Sequence, residues 1–384
     1  MHADHLTSEH RWTRRHLLRS AVGVAAGAMG MSVAKGAEDE QVDFTFALLG
    51  DLHFDRLEHH DFQWLAASGK PDHPQILRYS ELTKEVMPKL FSAVKQQVAT
   101  DKAPLVIQVG DLVEGLCGSD ALAQKQNQES LAFVKEAALG APFLFTKGNH
   151  DVTGPGSEEA FREVFHPFLN DTAAPFGGKL DPEHACYTIT KGNAHFLFFD
   201  AYSKKSLDWL EATLTTCTRR HVFVIIHPPV VPYGARATWN LYAKDKSSRE
   251  KLLTLLGRRE AMVLGGHIHK YSTLQRRTEG GGRFVQVAVS SVISPGAVKA
   301  KDELGAQEYT ADQIKVEPKH SPETEPQRRA VYDAERPWVS QFAYADLPGF
   351  AMVQVQGEQV SLRMHAGSSG EVWREVDLTG VMKG

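Results

Sequence analysis

The sequence predicts an α/β fold with buried β-sheets, and two features of the chain support this prediction. Short apolar runs rich in β-branched and aromatic residues recur along the chain. Longer segments in which apolar residues recur with helical spacing separate several of these runs. Strands that alternate with helices are typical of α/β proteins with buried sheets. The composition, 42% hydrophobic and 23% charged in 384 residues, excludes a disordered or fibrous chain.

The predicted elements follow one another along the chain. The strand-like runs are residues 44–49, 105–109, 143–145, 195–199, 222–226, 262–264 and 284–289. The helical segments are residues 81–98, 121–139, 158–165 and 206–214. Pro88 predicts that the first of these helices is kinked or begins late. Apolar alternation at 349–355 and 360–364 predicts a β-hairpin about Gly357 and Glu358.

Residues 1–37 are predicted to be an export signal. Arg14 and Arg15 precede an apolar run, residues 20–34, that is too short to span a membrane and ends in small residues. The arginine pair resembles a bacterial twin-arginine signal, which implies the twin-arginine export machinery as a partner and a periplasmic or secreted protein. The alternative is a short N-terminal helix. No other apolar run is long enough for a membrane span.

We expect one catalytic domain over residues 41–384. The polar, proline-bearing stretch at about 299–337 predicts a surface insertion or a lid, and terminal strands are expected at about 341–378. The counts of 43 basic and 47 acidic residues argue against nucleic-acid binding beyond nucleotide-like substrates. Three cysteines exclude a disulfide-rich scaffold, and the sequence does not decide whether two of them pair: Cys117, Cys186 and Cys217.

Five short polar motifs each directly follow a strand-like run. They are Asp51-Leu52-His53, Gly110-Asp111, Gly148-Asn149-His150-Asp151, His227 and Gly266-His267-Ile268-His269. In open α/β sheets, ligands bind at the carboxyl ends of the strands. Carboxylate, amide and imidazole groups without cysteine favour zinc, iron or manganese. Singly, each motif is also explained by a turn or a packed histidine; together they predict two metal ions that share one carboxylate.

The ordered set of motifs resembles the calcineurin-like metallophosphoesterase superfamily over about residues 44–275. The resemblance implies a four-layer α-β-β-α sandwich of two mixed β-sheets flanked by helices. It also implies a phosphoesterase in which a hydroxide that bridges two Mn, Fe or Zn ions attacks the phosphorus of a small-molecule phosphoester.

The same resemblance implies a role for each motif residue. The implied ligands of the first metal are Asp51, His53 and His269. The implied ligands of the second metal are Asn149, His227 and His267. Asp111 would bridge both metals. His150 would donate a hydrogen bond or proton to the phosphoryl or leaving-group oxygen, and Asp151 would orient His150. A role for Asp151 as a turn or helix-capping residue is the open alternative.

Differences between these motifs and those of known branches of the superfamily narrow the choice of branch. Protein Ser/Thr phosphatases have an arginine soon after the Gly-Asp motif, but none closely follows Gly110-Asp111 here. Purple acid phosphatases have a metal-binding tyrosine at the position of Glu114. The remaining pattern resembles the branch that includes class III cyclic-nucleotide phosphodiesterases. We therefore expect a phosphodiesterase or broad small-molecule phosphoesterase. The alternatives are a phosphomonoesterase for nucleotides or sugar phosphates, and a non-catalytic exported metal-binding protein of the same fold.

Substrate contacts lie outside these motifs. The candidates are Tyr202, Tyr233, Arg236, Trp239 and Tyr242, for which a packed surface loop is the alternative. Three histidines after the first motif are expected to be solvated surface residues, with the mouth of the site as the alternative: His59, His60 and His73.

Overall fold

The computed structural model describes residues 43–69, 72–291, 298–314 and 324–384. The predicted export signal, residues 1–37, lies outside the described residues. Within them the chain forms two mixed β-sheets that are flanked by helices. This arrangement confirms the expected four-layer sandwich.

The strands are β1 (Phe44–Leu49), β2 (Val106–Gln108), β3 (Phe143–Phe145), β4 (Tyr187–Lys191), β5 (Ala194–Phe199), β6 (His221–Ile226), β7 (Met262–Gly265), β8 (Tyr271–Arg277), β9 (Arg283–Ala288), β10 (Lys301–Leu304), β11 (Val339–Asp346), β12 (Gly349–Gln356), β13 (Gln359–Ala366) and β14 (Glu371–Asp377). The helices are α1 (Phe62–Ala67), α2 (His73–Glu85), α3 (Met87–Asp101), α4 (Asp120–Ala137), α5 (Ser157–Ala173), α6 (Ser206–Thr216), α7 (Lys246–Arg258), α8 (Glu325–Glu335) and α9 (Leu378–Lys383). None of the described helices is both long enough and apolar enough to cross a membrane.

The parallel strands form one side of the first sheet and the centre of the second. The first sheet has the order β14-β13-β12-β1-β2-β3, in which β1, β2 and β3 are parallel. The second has the order β10-β11-β8-β9-β7-β6-β5-β4, in which β5, β6, β7 and β9 are parallel. Their carboxyl ends therefore carry the loops that follow β1, β2, β3, β6 and β7.

Aromatic side chains fill the space between the two sheets. The ring of Phe46 on β1 packs edge-to-face against Phe196 on β5 and Phe223 on β6, with centroids 5.2 and 5.4 Å apart. All six residues of β1 are buried, as expected for a central strand with both faces covered. Helices α3 and α5 pack on the first sheet, and α6 and α7 pack on the second.

The first helical segment differs from its prediction. It begins earlier than expected, at His73, and consists of two helices that are separated at Val86. Pro88 lies in the first turn of α3, where its missing N–H removes no helical hydrogen bond, so the proline begins a helix instead of kinking one. The predicted C-terminal hairpin is confirmed, because β12 and β13 pair across Gly357 and Glu358.

The stretch at 299–337 is only partly a surface insertion. It adds strand β10 to the edge of the second sheet and contributes helix α8. Tyr309 and Tyr332 are buried in the apolar cluster that also contains residues of α7. Widely spaced apolar residues therefore anchor the Tyr309 region and α8 in the core, whereas β10 stays largely exposed, as expected of a surface excursion.

All three cysteines are free thiols. Cys117 and Cys186 are buried, and Cys217 is half-buried. The question that the sequence left open is thus answered against a disulfide bond.

Candidate metal centre

The five motifs meet where the carboxyl ends of the parallel strands of both sheets converge. The Asp51 and Asp111 loops and the Asn149 loop follow β1, β2 and β3, whereas His227 and the His267 loop follow β6 and β7. Because parallel strands all end at the same edge of a sheet, residues far apart in sequence are brought together here. The two sheets thus each contribute part of one site.

One group of possible metal ligands consists of Asp51, His53, Asp111 and His269. Nε2 of His53 lies 3.0 Å from Nε2 of His269. Nε2 of His269 lies 3.3 Å from Oδ1 of Asp51, and Nε2 of His53 lies 3.7 Å from Oδ2 of Asp111. These are the four residues that the family resemblance implied for the first metal and its bridge.

A second group consists of Asp111, His227 and His267, with Asn149 beside it. Nε2 of His227 lies 3.0 Å from Oδ2 of Asp111 and 3.1 Å from Oδ1 of Asn149. Nδ1 of His267 lies 3.1 Å from the same Nε2. Asp111 belongs to both groups, as expected of a shared carboxylate.

The hydrogen bonds of His227 and His53 leave one ring nitrogen of each able to bind a divalent metal ion. Nδ1 of His227 donates to the carbonyl of Val109 at 2.9 Å, and Nδ1 of His53 lies 2.8 Å from Oε2 of Glu114. In a neutral imidazole the other nitrogen, Nε2, then carries the lone pair, and metal-binding histidines are held in this way. Nitrogen and oxygen lone pairs that converge at about 3 Å repel one another unless a cation or proton lies between them.

The backbone of the site is strained in places. Four of the metal-ligand candidates have positive φ, between 49° and 72°: His53, Asp111, His267 and His269. This conformation is uncommon for residues other than glycine and occurs often at functional sites. Two motif glycines also permit close approach, because a side chain at Gly148 would overlap Asp111 and one at Gly266 would overlap Asp51.

Burial and neighbouring charges shift the carboxylate pKa values. Burial raises the pKa of Glu114 to about 8. The positive charge of metal ions at the site would lower this pKa, so that the carboxylate form accepts from His53 in the metal-loaded protein. Burial and the charge of Asp111 raise the pKa of Asp151 to about 6. Burial alone would also raise the pKa of Asp51, but the neighbouring His269 outweighs it and lowers the pKa to about 2. Asp51 therefore stays ionised at neutral pH, as a metal ligand must.

The pKa values of the two histidines of the second group are shifted in opposite directions. Burial, helped by the charge of His227, lowers the pKa of His267 to about 3, so this ring is neutral. Burial also opposes the charge on His227, but Asp111 outweighs it and raises the pKa to about 9. A proton on His227 therefore balances Asp111 when no metal is bound, and a metal cation would compete with that proton.

His150 lies beside the two groups. Its backbone N–H donates to Oδ1 of Asp111 at 2.8 Å, and its Nδ1 donates to the carbonyl of Glu114 at 2.7 Å. The ring is partly exposed and lines the cavity above the donor groups. Its Nε2 is thus the nitrogen that is available for a substrate.

Asp151 does not hold His150 as the resemblance implied. Its buried carboxylate accepts hydrogen bonds from the backbone N–H groups of Gly148, Asp111 and Val113, at 2.7, 3.0 and 3.0 Å. It ties the loop after β3 to the loop after β2. The geometry therefore supports the alternative in which Asp151 is a turn residue that braces the loops.

A cavity of about 760 Å³ opens over the donor groups. Of the predicted substrate contacts, Arg236 and Trp239 line it. The guanidinium carbon of Arg236 lies 4.3 Å from the centroid of the Trp239 ring, and this ring lies 5.5 Å from that of His267. These two residues therefore form a wall on the His267 side of the cavity.

The three predicted tyrosine contacts lie outside the lining formed by the described residues. Tyr233 is fully buried, and its hydroxyl donates to the carbonyl of Gly266 at 3.0 Å. Tyr202 is 40% exposed, and Tyr242 is half-buried with a φ of 57°. Tyr233 thus supports the histidine loop instead of contacting a ligand.

The histidines after the first motif are placed differently from the expectation. His59 and His60 are buried, and Nε2 of His60 lies 2.7 Å from Oδ1 of Asp55. The prediction of solvated surface residues is wrong for these two, because Asp55 and the carbonyl of Leu116 satisfy the ring of His60, and Glu129 and the backbone N–H of Arg56 satisfy that of His59. His73 is exposed, as predicted.

Sequence reasoning missed several residues of the site. The position of Glu114 after Gly110-Asp111 does not indicate its contact with His53, because 61 positions separate the two residues. Tyr79 on α2 stacks on the His53 ring with centroids 4.3 Å apart, and its hydroxyl lies 3.5 Å from Nδ1 of His269. Lys270 directly follows the last motif, which was a signal, whereas nothing in the local sequence marks Tyr79 or the distant Lys301.

Comparisons with known proteins agree with this geometry. Residues 44–271, more than half of the chain, match the family described as calcineurin-like phosphoesterase. No curated protein matches the chain by sequence.

Solved structures with the same fold include two phosphatases and PhoD. A purple acid phosphatase from yellow lupin (Lupinus luteus) seeds has a TM-score of 0.53 at 13% identity, covering 88% of this chain. The match spans only 54%, about half, of the lupin chain. PhoD has a TM-score of 0.51 at 14% identity, covering 88% of this chain and 69% of that one.

A dimetal phosphatase from Danio rerio has a TM-score of 0.51 at 14% identity, covering 88% of this chain and 99% of that one. Identities this low establish a common fold, whereas the family match covers the motifs themselves. The chain therefore belongs to the calcineurin-like phosphoesterase family.

Proposed function

We propose that this protein hydrolyses small-molecule phosphoesters with two transition-metal ions, and that phosphodiesters are preferred. One observation carries the proposal: two donor groups share Asp111 on the floor of a cavity that His150 also lines. The metals would be Mn, Fe or Zn, because imidazole and carboxylate ligands accept each of them.

The proposed ligand sets follow the two donor groups. Asp51, His53 and His269 would hold one ion, and Asn149, His227 and His267 would hold the other, with Asp111 between them. A metal pair of this kind supplies positive charge that stabilises the phosphoryl oxygens and lowers the pKa of water. The protein contributes the fixed imidazole orientations, which the carbonyl of Val109 and the carboxylate of Glu114 support.

His150 is proposed to serve the leaving group. Its Nδ1 is held by the carbonyl of Glu114, so the proton that it can transfer is the one at Nε2. Transfer of that proton to the ester oxygen would assist departure of the alcohol. Asp151 would act indirectly, by fixing the loops that carry Asp111 and His150.

The preference for diesters rests on the motif pattern, in which Glu114 replaces the metal-binding tyrosine of purple acid phosphatases. A phosphomonoesterase is the alternative within the same chemistry. A non-catalytic metal-binding protein is disfavoured, because both donor groups and His150 are present together at a cavity large enough for a substrate.

We further propose export by the twin-arginine machinery to the periplasm or beyond, directed by residues 1–37. The arginine pair and the apolar run that follows it support this route. Replacement of Arg14 and Arg15 by lysine should then retain the protein in the cytoplasm, as measured by cell fractionation. Unchanged export of this variant would contradict the proposed route.

The catalytic proposal is tested by loading the purified protein with manganese and comparing a bis-aryl phosphate diester with the matching aryl monoester. We expect higher kcat/KM for the diester, and loss of both activities in Asp111→Asn. Faster monoester turnover would identify a phosphomonoesterase. Absence of both activities in a protein shown to hold two metals would favour the binding protein.

A further inference from the structure

Basic side chains are concentrated on the wall of the cavity. The five that line it are Arg78, Arg236, Lys270, Lys299 and Lys301. The acidic residues of the described lining are Asp111, which belongs to the donor groups, and Asp346, whose carboxylate lies 2.9 Å from Nζ of Lys270. The chain as a whole has more acidic than basic residues, 47 against 43. The cavity therefore differs in charge from the average of the chain.

Lys301 lies in the edge strand of the second sheet, and Lys299 lies just before that strand. Lys301 begins β10, and its backbone pairs with Asp346 on β11. Lys299 lies two residues earlier, and both side chains are exposed. Among the residues that the structure describes, no carboxylate lies within ion-pair distance of either ammonium group. Both charges are therefore available to a ligand in the cavity.

Arg236 contributes a third positive charge from a different element. Its guanidinium lies over the Trp239 ring, which in turn packs near His267. A guanidinium that is stacked on an aromatic ring is restricted in position, and its positive charge attracts phosphate and carboxylate groups. The stacking thus fixes where this charge lies relative to the metal centre.

The loop that carries Arg236 is braced by the segment that carries the lysines. The hydroxyl of Tyr309 donates to the carbonyl of Pro232 at 2.6 Å, and that of Tyr332 donates to the carbonyl of Gly234 at 2.8 Å. Such bracing keeps the two basic parts of the wall in a fixed arrangement. Preorganised charges lose less free energy on binding than charges on mobile loops.

Arg249 adds a second brace. Its guanidinium donates to the carbonyl of Val230 at 2.8 Å, to Oδ1 of Asn240 at 2.7 Å and to a carboxylate oxygen of Glu335 on α8 at 2.6 Å. The other oxygen of Glu335 accepts from Arg276 at 2.7 Å. The residues on both sides of Arg236 and Trp239 are therefore tied to α8 and the second sheet.

We propose that Lys299, Lys301 and Arg236 form a subsite for a second anionic group of the substrate. The inference rests on the proposed hydrolysis of phosphoesters at the donor groups and names the substrate class: small phosphoesters that carry a further phosphate or carboxylate. A cavity of about 760 Å³ has the size of sites for drug-sized ligands, which leaves room beyond one phosphoryl group. Clustered cations in such a cavity attract anions and favour the more highly charged ligand.

The test compares two substrates that differ by one phosphate. They are the nitrophenyl ester of thymidine 5′-phosphate and the same ester with an added 3′-phosphate, and nitrophenol release is measured for both. The manganese-loaded protein is compared with the double variant Lys299→Gln/Lys301→Gln. The matched control is Lys84→Gln/Lys89→Gln, which removes two exposed charges from α2 and α3.

We expect kcat/KM to be about tenfold higher for the ester with the 3′-phosphate, since two or three partly exposed ion pairs supply about this factor. The ratio should fall towards one in Lys299→Gln/Lys301→Gln and stay unchanged in the control. It should also fall as salt is added. Equal kcat/KM for both esters in the unmodified protein, or the same ratio in both variants, would overturn the subsite and leave the proposed function standing.

If the protein does not hydrolyse phosphoesters, the result is different: neither ester is cleaved. Calorimetry then decides the subsite, with thymidine 3′,5′-bisphosphate compared with thymidine 5′-phosphate. Tighter binding of the bisphosphate that is lost in Lys299→Gln/Lys301→Gln supports the subsite. Equal binding of both nucleotides, or absence of binding, overturns it.

Discussion

Nδ1 of His53 and Oε2 of Glu114 lie 2.8 Å apart in the buried interior beneath the metal centre. The other carboxylate oxygen of Glu114 accepts a hydrogen bond from Gln75 at 2.7 Å. Glu114 therefore fixes the orientation of His53 and directs its Nε2 towards Asp111 and His269. A residue three positions after the shared carboxylate thus supports the first donor group from behind.

Glu114→Ala should weaken metal binding at the Asp51 group. The substitution leaves Nδ1 of His53 without its acceptor, and loss of such a supporting contact typically costs about 10–100-fold in metal affinity. Glu114→Gln is the matched control, since its amide oxygen can still accept from His53. Metal content after dialysis against a series of chelators measures the effect. Equal metal retention by Glu114→Ala and the unmodified protein would contradict a supporting role.

Asp111→Asn should reduce both metal content and turnover. The amide lacks the negative charge that both donor groups share, and we expect turnover to fall by about 100-fold or more. Asparagine tolerates the positive φ of 55° at this position, so the fold should be retained. Metal analysis measures the metal content, and circular dichroism shows whether the fold is retained. Asp208→Asn, on an exposed side chain, is the control, and normal metal content in Asp111→Asn would refute the shared-ligand role.

His150→Ala should slow hydrolysis in a way that depends on the leaving group. Removal of a general acid costs about 10²–10⁴ in rate when the leaving alcohol needs a proton. Nitrophenolate leaves readily without one, so an aryl ester should be affected much less than an alkyl ester. Kinetics on the two esters measure the difference. An equal loss on both, accompanied by loss of metal, would assign His150 to metal binding instead.

Asp151→Ala should destabilise the fold as well as the site. Three buried N–H groups lose their acceptor, those of Gly148, Asp111 and Val113, which predicts a loss of about 3 kcal/mol or more in the free energy of unfolding. Urea denaturation measures it, with Asp208→Ala as the surface control. If Asp151→Ala were as stable as the control but lost turnover, this result would support a direct role of Asp151 in orienting His150.

His166 on α5 should make the fold sensitive to acid. Burial, helped by the charges of Lys147 and Arg162, lowers its pKa to about 4, below the value near 6.5 of the unfolded chain. Between these values the unfolded state binds more protons, so the stabilisation is complete above about pH 6.5 and is lost as the pH falls towards 4. Because the ring is partly exposed, we expect at most about 2 kcal/mol. Urea denaturation of His166→Gln should show a smaller decrease over this range, and an identical pH dependence would disprove the assignment.

Much of the fold was predictable because local sequence carries its signals. The run at 44–49, which is apolar except for Thr45, matches β1 residue for residue, since a strand covered on both faces is apolar along nearly its whole length. The donor residues were predictable because metal ligation restricts residue type and because each motif follows a parallel strand. The start of α2 at His73 was not predicted, since its apolar positions are sparse and Asp72 supplies no side-chain cap.

The sequence by itself determined the α/β class, the family and the residues of both donor groups, because these depend on residue type and on order along the chain. Only the tertiary structure decided what Glu114, Asp151, Tyr79 and the basic wall do. Glu114 reaches His53 across 61 positions, and the carboxylate of Asp151 turns to backbone N–H groups instead of to its neighbour His150. Lys299 and Lys301 reach the cavity only because β10 adds to the edge of the second sheet. Such contacts depend on how the two sheets and their loops pack, and a local pattern does not encode a distance between elements.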